Sequence, residues 1–272
     1  MANNSAIEWT EATWNPTTGC TKISAGCKNC YAATLSKRLK AMGIKKYKNE
    51  FEFTQHYDDL ELPLQWKKQK KIFVNSMSDL FHEKSQMEFI AASFHTMLKA
   101  YWHTYQVLTK RPQKMAKFSE LFRNYYGFKI PNHIWMGVSV ENEDNVWRID
   151  ELRKVQCEVR FISFEPLVGS VGKVNLKGID WAIIGGESGY DFRPVKEEWI
   201  LEIIKQCKKQ NVKIFFKQWG GIRPKSGGRT IQGRIYNQYP KINPRTKKFE
   251  LPEDGVIIPR IKVKSSGPKL FH

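Results

Sequence analysis

Six short apolar runs recur along the chain, at residues 71–81, 105–112, 133–142, 160–169, 180–189 and 213–221. Each is rich in β-branched or aromatic residues and each ends in polar ones, the pattern of buried strands. Between them, residues 87–101 set Phe89, Ile90, Phe94, Met97 and Leu98 at helical spacing, and residues 199–210 do the same with Ile200, Ile203, Ile204 and Cys207. Strand and helix alternating over six units predict an α/β fold in which a parallel sheet is covered by helices. We read it as a partial (β/α) TIM-like barrel. Residues 166–180 carry no helical pattern, so that crossover is expected to be irregular, as is the stretch 43–64. After Gly221 the periodicity gives way to Pro, Gly and Lys. The expected organisation is a barrel over 1–220 and a basic extension over 221–272 packed on or flanking it.

The polar residues follow the apolar runs with regularity: Ser76, Ser78 and Asp79; Lys110 and Arg111; Ser139, Glu141 and Asn142; Glu165; Glu187 and Ser188; Lys217 and Gln218. In a parallel barrel such positions converge on the C-terminal mouth, where active sites are built. Buried charges are costly unless paired or used. Glu165, Glu187 and Lys217 are therefore the candidate catalytic groups, although a structural ring of ion pairs would use the same residue types. The segment GGESG (185–189) lacks the spacing and the Lys-Ser/Thr ending of a phosphate loop. No Ser-His-Asp set stands out.

Net charge is 45 − 27 = +18, a field that attracts polyanions, of which nucleic acid is the commonest in cytoplasm. Half of it falls after Gly220, where twelve Lys/Arg meet three Asp/Glu, or 12 − 3 = +9. There Arg229, Arg234 and Arg245 interleave with Tyr236, Tyr239 and Phe249, a pattern suited to phosphates and unpaired bases. Nucleic acid, DNA or RNA, is the expected partner. No long apolar span and no secretory signal appear, which points to a cytoplasmic protein without a membrane segment.

Three cysteines, Cys20, Cys27 and Cys30, lie within eleven residues in the run GCTKISAGCKNCY. Clustered thiolates are what iron–sulfur clusters and zinc select. Three ligands suit a [4Fe–4S] cluster with one iron left open. Structural zinc takes four, so Cys20 and a distant His82 or Cys157 would have to complete that alternative. Cys157 and Cys207 lie in stretches that read as helices.

The segments WNPTTGC, SAGCKNCYA, SMSDLF, LTKRP, GVSVEN, ISFEPLVG, GGESG, FFKQWGG and GRTIQGRIYNQYP together resemble the successive motifs of a phage- and prophage-associated family of unknown function. That family carries a three-cysteine motif like that of radical S-adenosylmethionine enzymes and is often encoded beside a methyltransferase-like partner protein. The resemblance implies a radical-type barrel with the cluster on Cys20, Cys27 and Cys30, S-adenosylmethionine as cosubstrate, and a reductant protein. By charge matching, and not by any shared motif, Asp79 would suit the methionine amino group, Lys110 or Arg111 its carboxylate and Glu141 the ribose hydroxyls. The spacing here is C-x6-C-x2-C, against the usual C-x3-C-x2-C, and Asn29 stands where an aromatic residue is usual. The expected function is modification of a nucleic acid or nucleotide. A nucleic-acid-binding protein with a structural metal and a zinc-dependent hydrolase are the alternatives.

Overall fold

Parallel pairing of strands far apart in sequence organises this chain. The computed structural model describes residues 5–242 together with Phe249 and Leu251. In chain order the strands are β1 (Ala12–Trp14), β2 (Thr17–Thr18), β3 (Thr54–Gln55), β4 (Lys71–Val74), β5 (Thr104–Thr109), β6 (Ile130–Ser139), β7 (Cys157–Phe164), β8 (Trp181–Gly185) and β9 (Lys213–Gln218). The α-helices are α1 (Tyr31–Ala41), α2 (Met87–Lys99), α3 (Pro112–Tyr126), α4 (Trp147–Lys154) and α5 (Glu197–Lys209). Seven strands form one parallel sheet in the order β1-β4-β5-β6-β7-β8-β9, curled as a half-barrel, while β2 and β3 pair antiparallel beside it. The six strands expected from the apolar runs are all present, and β1 joins them at the edge. The crossover from β7 to β8 carries no helix.

Successive side chains of a strand point to opposite faces, and the two faces differ. One set, including Ile72, Val74, Val107, Met136, Ile162, Ile184 and Phe216, joins Phe89, Phe94, Met97, Phe118, Ile200 and Ile203 of the helices in the main core. The other set lines the concave face: Phe73, Trp135, Phe161, Trp181, Ile183 and Phe215 pack together with Trp9 from the N-terminal segment. Trp181 is at the centre, its ring 5.5 Å from that of Trp135, 5.7 Å from Phe161 and 6.1 Å from Trp9. Gly137 makes room for this cluster, since a Cβ there would lie 2.5 Å from the Phe161 ring. Such rings each cost about 3–5 kcal/mol when truncated to alanine. An aromatic floor thus closes the lower half of the concave face and leaves polar residues at the strand ends above it.

The chain after β9 returns to the sheet. Gln238 N–H donates to the Ile214 carbonyl at 2.9 Å and Phe216 N–H to the Tyr236 carbonyl at 3.0 Å, an antiparallel contact that covers the β9 edge. Tyr239 packs on Trp181, 5.2 Å between ring centres. The Arg229 guanidinium lies 4.7 Å above the Phe215 ring and donates to the Phe216 carbonyl and to Asn237. Arg229 and Tyr239, expected from their pattern to meet nucleic acid, are used here to hold the extension. Phe249 stacks on Phe128, and Arg245 lies outside the described residues. Among the described residues, no helix is long and apolar enough to cross a membrane.

Candidate functional site at the mouth of the half-barrel

The cysteine loop follows β1 and β2 and crosses the C-terminal ends of the central strands. All three thiols are free and half-buried. Cys27 closes a single tight turn at Ala25–Cys27, and Cys30 caps the N-terminus of α1. The loop rests on the end of β6 through Ser24, whose hydroxyl donates to Glu141 Oε1 at 2.7 Å. Gly26 permits that contact: a Cβ there would lie 2.3 Å from Glu141 Cγ. Glu141 is wholly buried, with Lys110 Nζ at 3.0 Å from Oε1 and Arg148 Nη1 at 2.9 Å from Oε2. Although burial opposes its charge, Lys110 and Arg148 hold its carboxyl below the ordinary range.

A second network ties Cys20 to the ends of β4 and β5. Arg111 donates to Cys20 Sγ at 3.5 Å, to Asp79 Oδ2 at 3.1 Å, to Glu83 Oε1 at 2.7 Å, and to both the carbonyl and the hydroxyl of Thr21. All five of its N–H groups are thereby engaged. Asp79 accepts in addition from Thr109 Oγ1, Phe81 N–H and Lys110 N–H. A methionine carboxylate or ammonium would have to displace these bonds to reach Arg111 or Asp79.

The thiols differ in character. Burial, reinforced by Asp79, pushes Cys20 up to about 11 despite Arg111, and its Sγ sits 3.5 Å from the Thr21 carbonyl as a donor. Burial also opposes the Cys27 thiolate, but Lys110, the backbone at Ile23 and Ser24, and the Ser24 hydroxyl bring it below the ordinary thiol range. Cys27 is the more readily ionised of these two.

Glu165, Glu187 and Lys217 come to the same mouth. Lys217 pairs with Glu165 across β8, passing over Gly185, whose missing Cβ would touch both side chains at 3.4 and 3.5 Å. Each side chain of the pair keeps about a fifth of its surface exposed. Glu187 is nearly buried and is gripped by the Arg193 guanidinium and backbone N–H and by Asn29 Nδ2 at 3.1 Å. Burial opposes its charge, and Arg193 then lowers it below the ordinary carboxylate range. Asn29 lies between Cys27 and Cys30, so this bond fastens the cysteine loop to the end of β8.

A family model described as a protein of unknown function (DUF5131) matches residues 4–240. The chain belongs to that family. No curated protein and no solved structure matches it. The DUF5131 match takes in the cysteine loop, every mouth residue named above and Tyr239.

Among the described residues no group of three or more His, Cys, Asp or Glu side chains is gathered so that it could share one metal ion. Zinc would need thiolates about 3.8 Å apart, from a Zn–S bond of about 2.3 Å and tetrahedral angles. Cys157 cannot complete such a set. It opens β7, at the opposite end of the sheet and roughly 23 Å from the mouth at the usual rise per residue; it is a strand residue and not a helical one. His82 does lie near the loop, its Nε2 3.0 Å from Thr21 Oγ1. Ser24, Asn29, Arg148 and Arg193 were not apparent from sequence. Arg193 alone left a trace, as a cation six residues after Glu187.

Proposed function

We propose that this DUF5131 protein is an iron–sulfur enzyme of the radical S-adenosylmethionine type acting on nucleic acid or a nucleotide. The observation that carries the reading is the delivery of three free thiols over the charged mouth of a parallel half-barrel by a loop pinned at Cys20, Ser24 and Asn29. The donor set fits a [4Fe–4S] cluster better than a single ion, because each thiolate of a four-iron cube binds its own iron and the three need not converge. Cys20, Cys27 and Cys30 would hold it, leaving one iron open, and S-adenosylmethionine bound there would supply the radical chemistry.

The rest falls to the chain's own groups. Lys110 beside Cys27 favours the thiolate there, and Cys30 stands at the N-cap position of α1. Arg111 and Asp79 fix Cys20. The Glu165–Lys217 pair, partly open to solvent and standing above the aromatic floor, is placed to hold or move a proton at a substrate. Glu187, locked by Arg193 and Asn29, orients the loop. The basic surface, +18 over the chain, favours a polyanionic substrate. A reductant protein and the methyltransferase-like partner belong to the same proposal.

Anaerobic reconstitution with iron and sulfide, followed by an assay for reductive cleavage of S-adenosylmethionine, tests it. Cleavage that is lost on Cys27→Ala supports the reading. A reconstituted cluster with no cleavage would refute the enzymatic part.

A further inference from the structure

Beyond the end of β9 the segment WGG, and beyond β8 the segment GESGY, interlock. Gly186 N–H donates to the Gln218 carbonyl, Gly189 N–H to the Gly221 carbonyl and Gly221 N–H to the Glu187 carbonyl, all between 2.9 and 3.0 Å. The approach is closer than any side chain would allow: a Cβ at Gly186 would lie 2.0 Å from the Trp219 carbonyl oxygen, and one at Gly220 2.1 Å from that of Glu187. Gln218 ties the two loops again, donating to Ser188 Oγ at 2.7 Å and accepting from Lys225 N–H. The result is a braced shelf beside the mouth rather than a pair of loose loops.

What the shelf presents is apolar. An open cleft of about 650 Å3 is lined by Phe192, Pro194, Val195, Trp219 and Ile222, with Arg223 at its side and no acidic residue in the lining. The Trp219 indole N–H is spent on the Thr230 carbonyl, so the ring offers a face and no donor. Tyr190, 88 % exposed, projects from the same loop although both neighbours are anchored, Gly189 through Gly221 and Asp191 through Asn29 Nδ2 at 2.6 Å. Ile222 is 63 % exposed. A braced loop that holds an aromatic ring in water is organised for something that will cover the ring.

We propose that this shelf is a stacking platform for unpaired bases of a single-stranded nucleic acid, placed to present the neighbouring nucleotide to the mouth. The inference rests on the nucleic-acid part of the function proposed above and adds the strandedness of the substrate and the residues that grip it. Stacking asks only for a π-face and tolerates any base, and Arg223, in a lining that holds no acidic residue, is suited to meet the phosphate. Asn29 joins the Tyr190 loop to the cysteine loop, so a base held on the platform lies next to the residues that would carry the chemistry.

The test is the affinity, by fluorescence anisotropy, of the full chain for a labelled single strand of about 12 nucleotides, as DNA and as RNA, against its duplex. Tyr190→Ala should weaken single-strand binding by about five- to 150-fold and leave the salt slope unchanged, while Tyr190→Phe binds like the parent. Arg223→Gln should instead flatten the salt slope by about 0.7. Parent-like binding by Tyr190→Ala, or a duplex that competes as well as the single strand, overturns the platform while leaving nucleic-acid binding intact. Failure of the parent to bind any strand overturns both, and iron content measured on the same preparations reports separately on the cluster.

Discussion

Replacing Gly26 by alanine adds one methyl group at the point where the cysteine loop rests on the sheet. Its Cβ would fall 2.3 Å from Glu141 Cγ and 2.6 Å from Oε1, where carbon atoms need about 3.5 Å or more. One partner must move by about 1 Å. Glu141 is poorly placed to do so, being buried and held by Arg148 at 2.9 Å and Lys110 at 3.0 Å. The loop therefore lifts, the Ser24–Glu141 bond breaks, and Cys27 leaves its place beside Lys110. Overpacking of this kind costs about 1–3 kcal/mol, a fall in Tm of roughly 2–12 °C at this chain length. The site should suffer more than the fold, because displaced supporting contacts typically cost about 10- to 100-fold in metal affinity. Chelator competition on reconstituted protein reads the affinity and thermal unfolding reads the fold. Ser24→Ala, which removes the hydrogen bond without adding bulk, should lose less. A Gly26→Ala protein with parental iron affinity would show that the loop's seat on Glu141 does not govern the cysteines.

Three other perturbations probe the same framework. Arg148→Met leaves the buried Glu141 carboxylate with Lys110 and the Ser24 hydroxyl, both on Oε1, and strips Oε2 of its cation; it should cost about 3–5 kcal/mol in denaturant unfolding, Glu141→Gln in the same chain should recover part of the loss, and no recovery would refute the pairing account. His56 is pushed down to about 4 by burial and by Lys46, so between pH 6.5 and 4 the unfolded chain takes up a proton that the folded chain refuses. His56 by itself should cost the fold at most about 3 kcal/mol as pH drops through that window; His56→Gln should remove that share of the slope, and His82, His95 and His103, displaced in the same direction, add to the fall in both proteins. Arg229→Ala should lower thermal stability, since its guanidinium joins Phe215 to Asn237, and should leave the salt slope of nucleic-acid binding unchanged; a flattened slope would mean that the side chain also reaches phosphate.

The parallel sheet was legible because its strands announce themselves twice, by an apolar run and by the polar residues that end it. Asp79, Lys110, Glu141, Glu165, Glu187 and Lys217 all gather at one end of the sheet for that reason. Strand β1 was not legible: three residues, Ala12–Trp14, are too few to show a period, and it exists through pairing with β4. Cys157 read as helical because the pattern of α4 runs on toward it, yet the helix stops at Lys154 and the alternation Cys-Glu-Val-Arg opens β7. The partners that hold the site were hidden by distance along the chain. Asn29 meets Glu187 across 158 residues and Ser24 meets Glu141 across 117, and no local pattern encodes such meetings. The contacts of the tail were hidden for a related reason: an arginine and tyrosine pattern suited to nucleic acid is equally suited to Phe215 and Trp181, and only the three-dimensional course of the chain shows that Arg229 and Tyr239 meet these rings.

The central claim is that Cys20, Cys27 and Cys30 together hold an iron–sulfur cluster, and iron and sulfide content after anaerobic reconstitution tests it most directly. The account predicts about four iron and four sulfide per chain with broad absorption near 400 nm, lost in each of Cys20→Ala, Cys27→Ala and Cys30→Ala. Cys157→Ala and Cys207→Ala, both in the buried core, should retain it wherever the fold survives. One zinc per chain without sulfide, or full iron retention in any variant of the triplet, would contradict it.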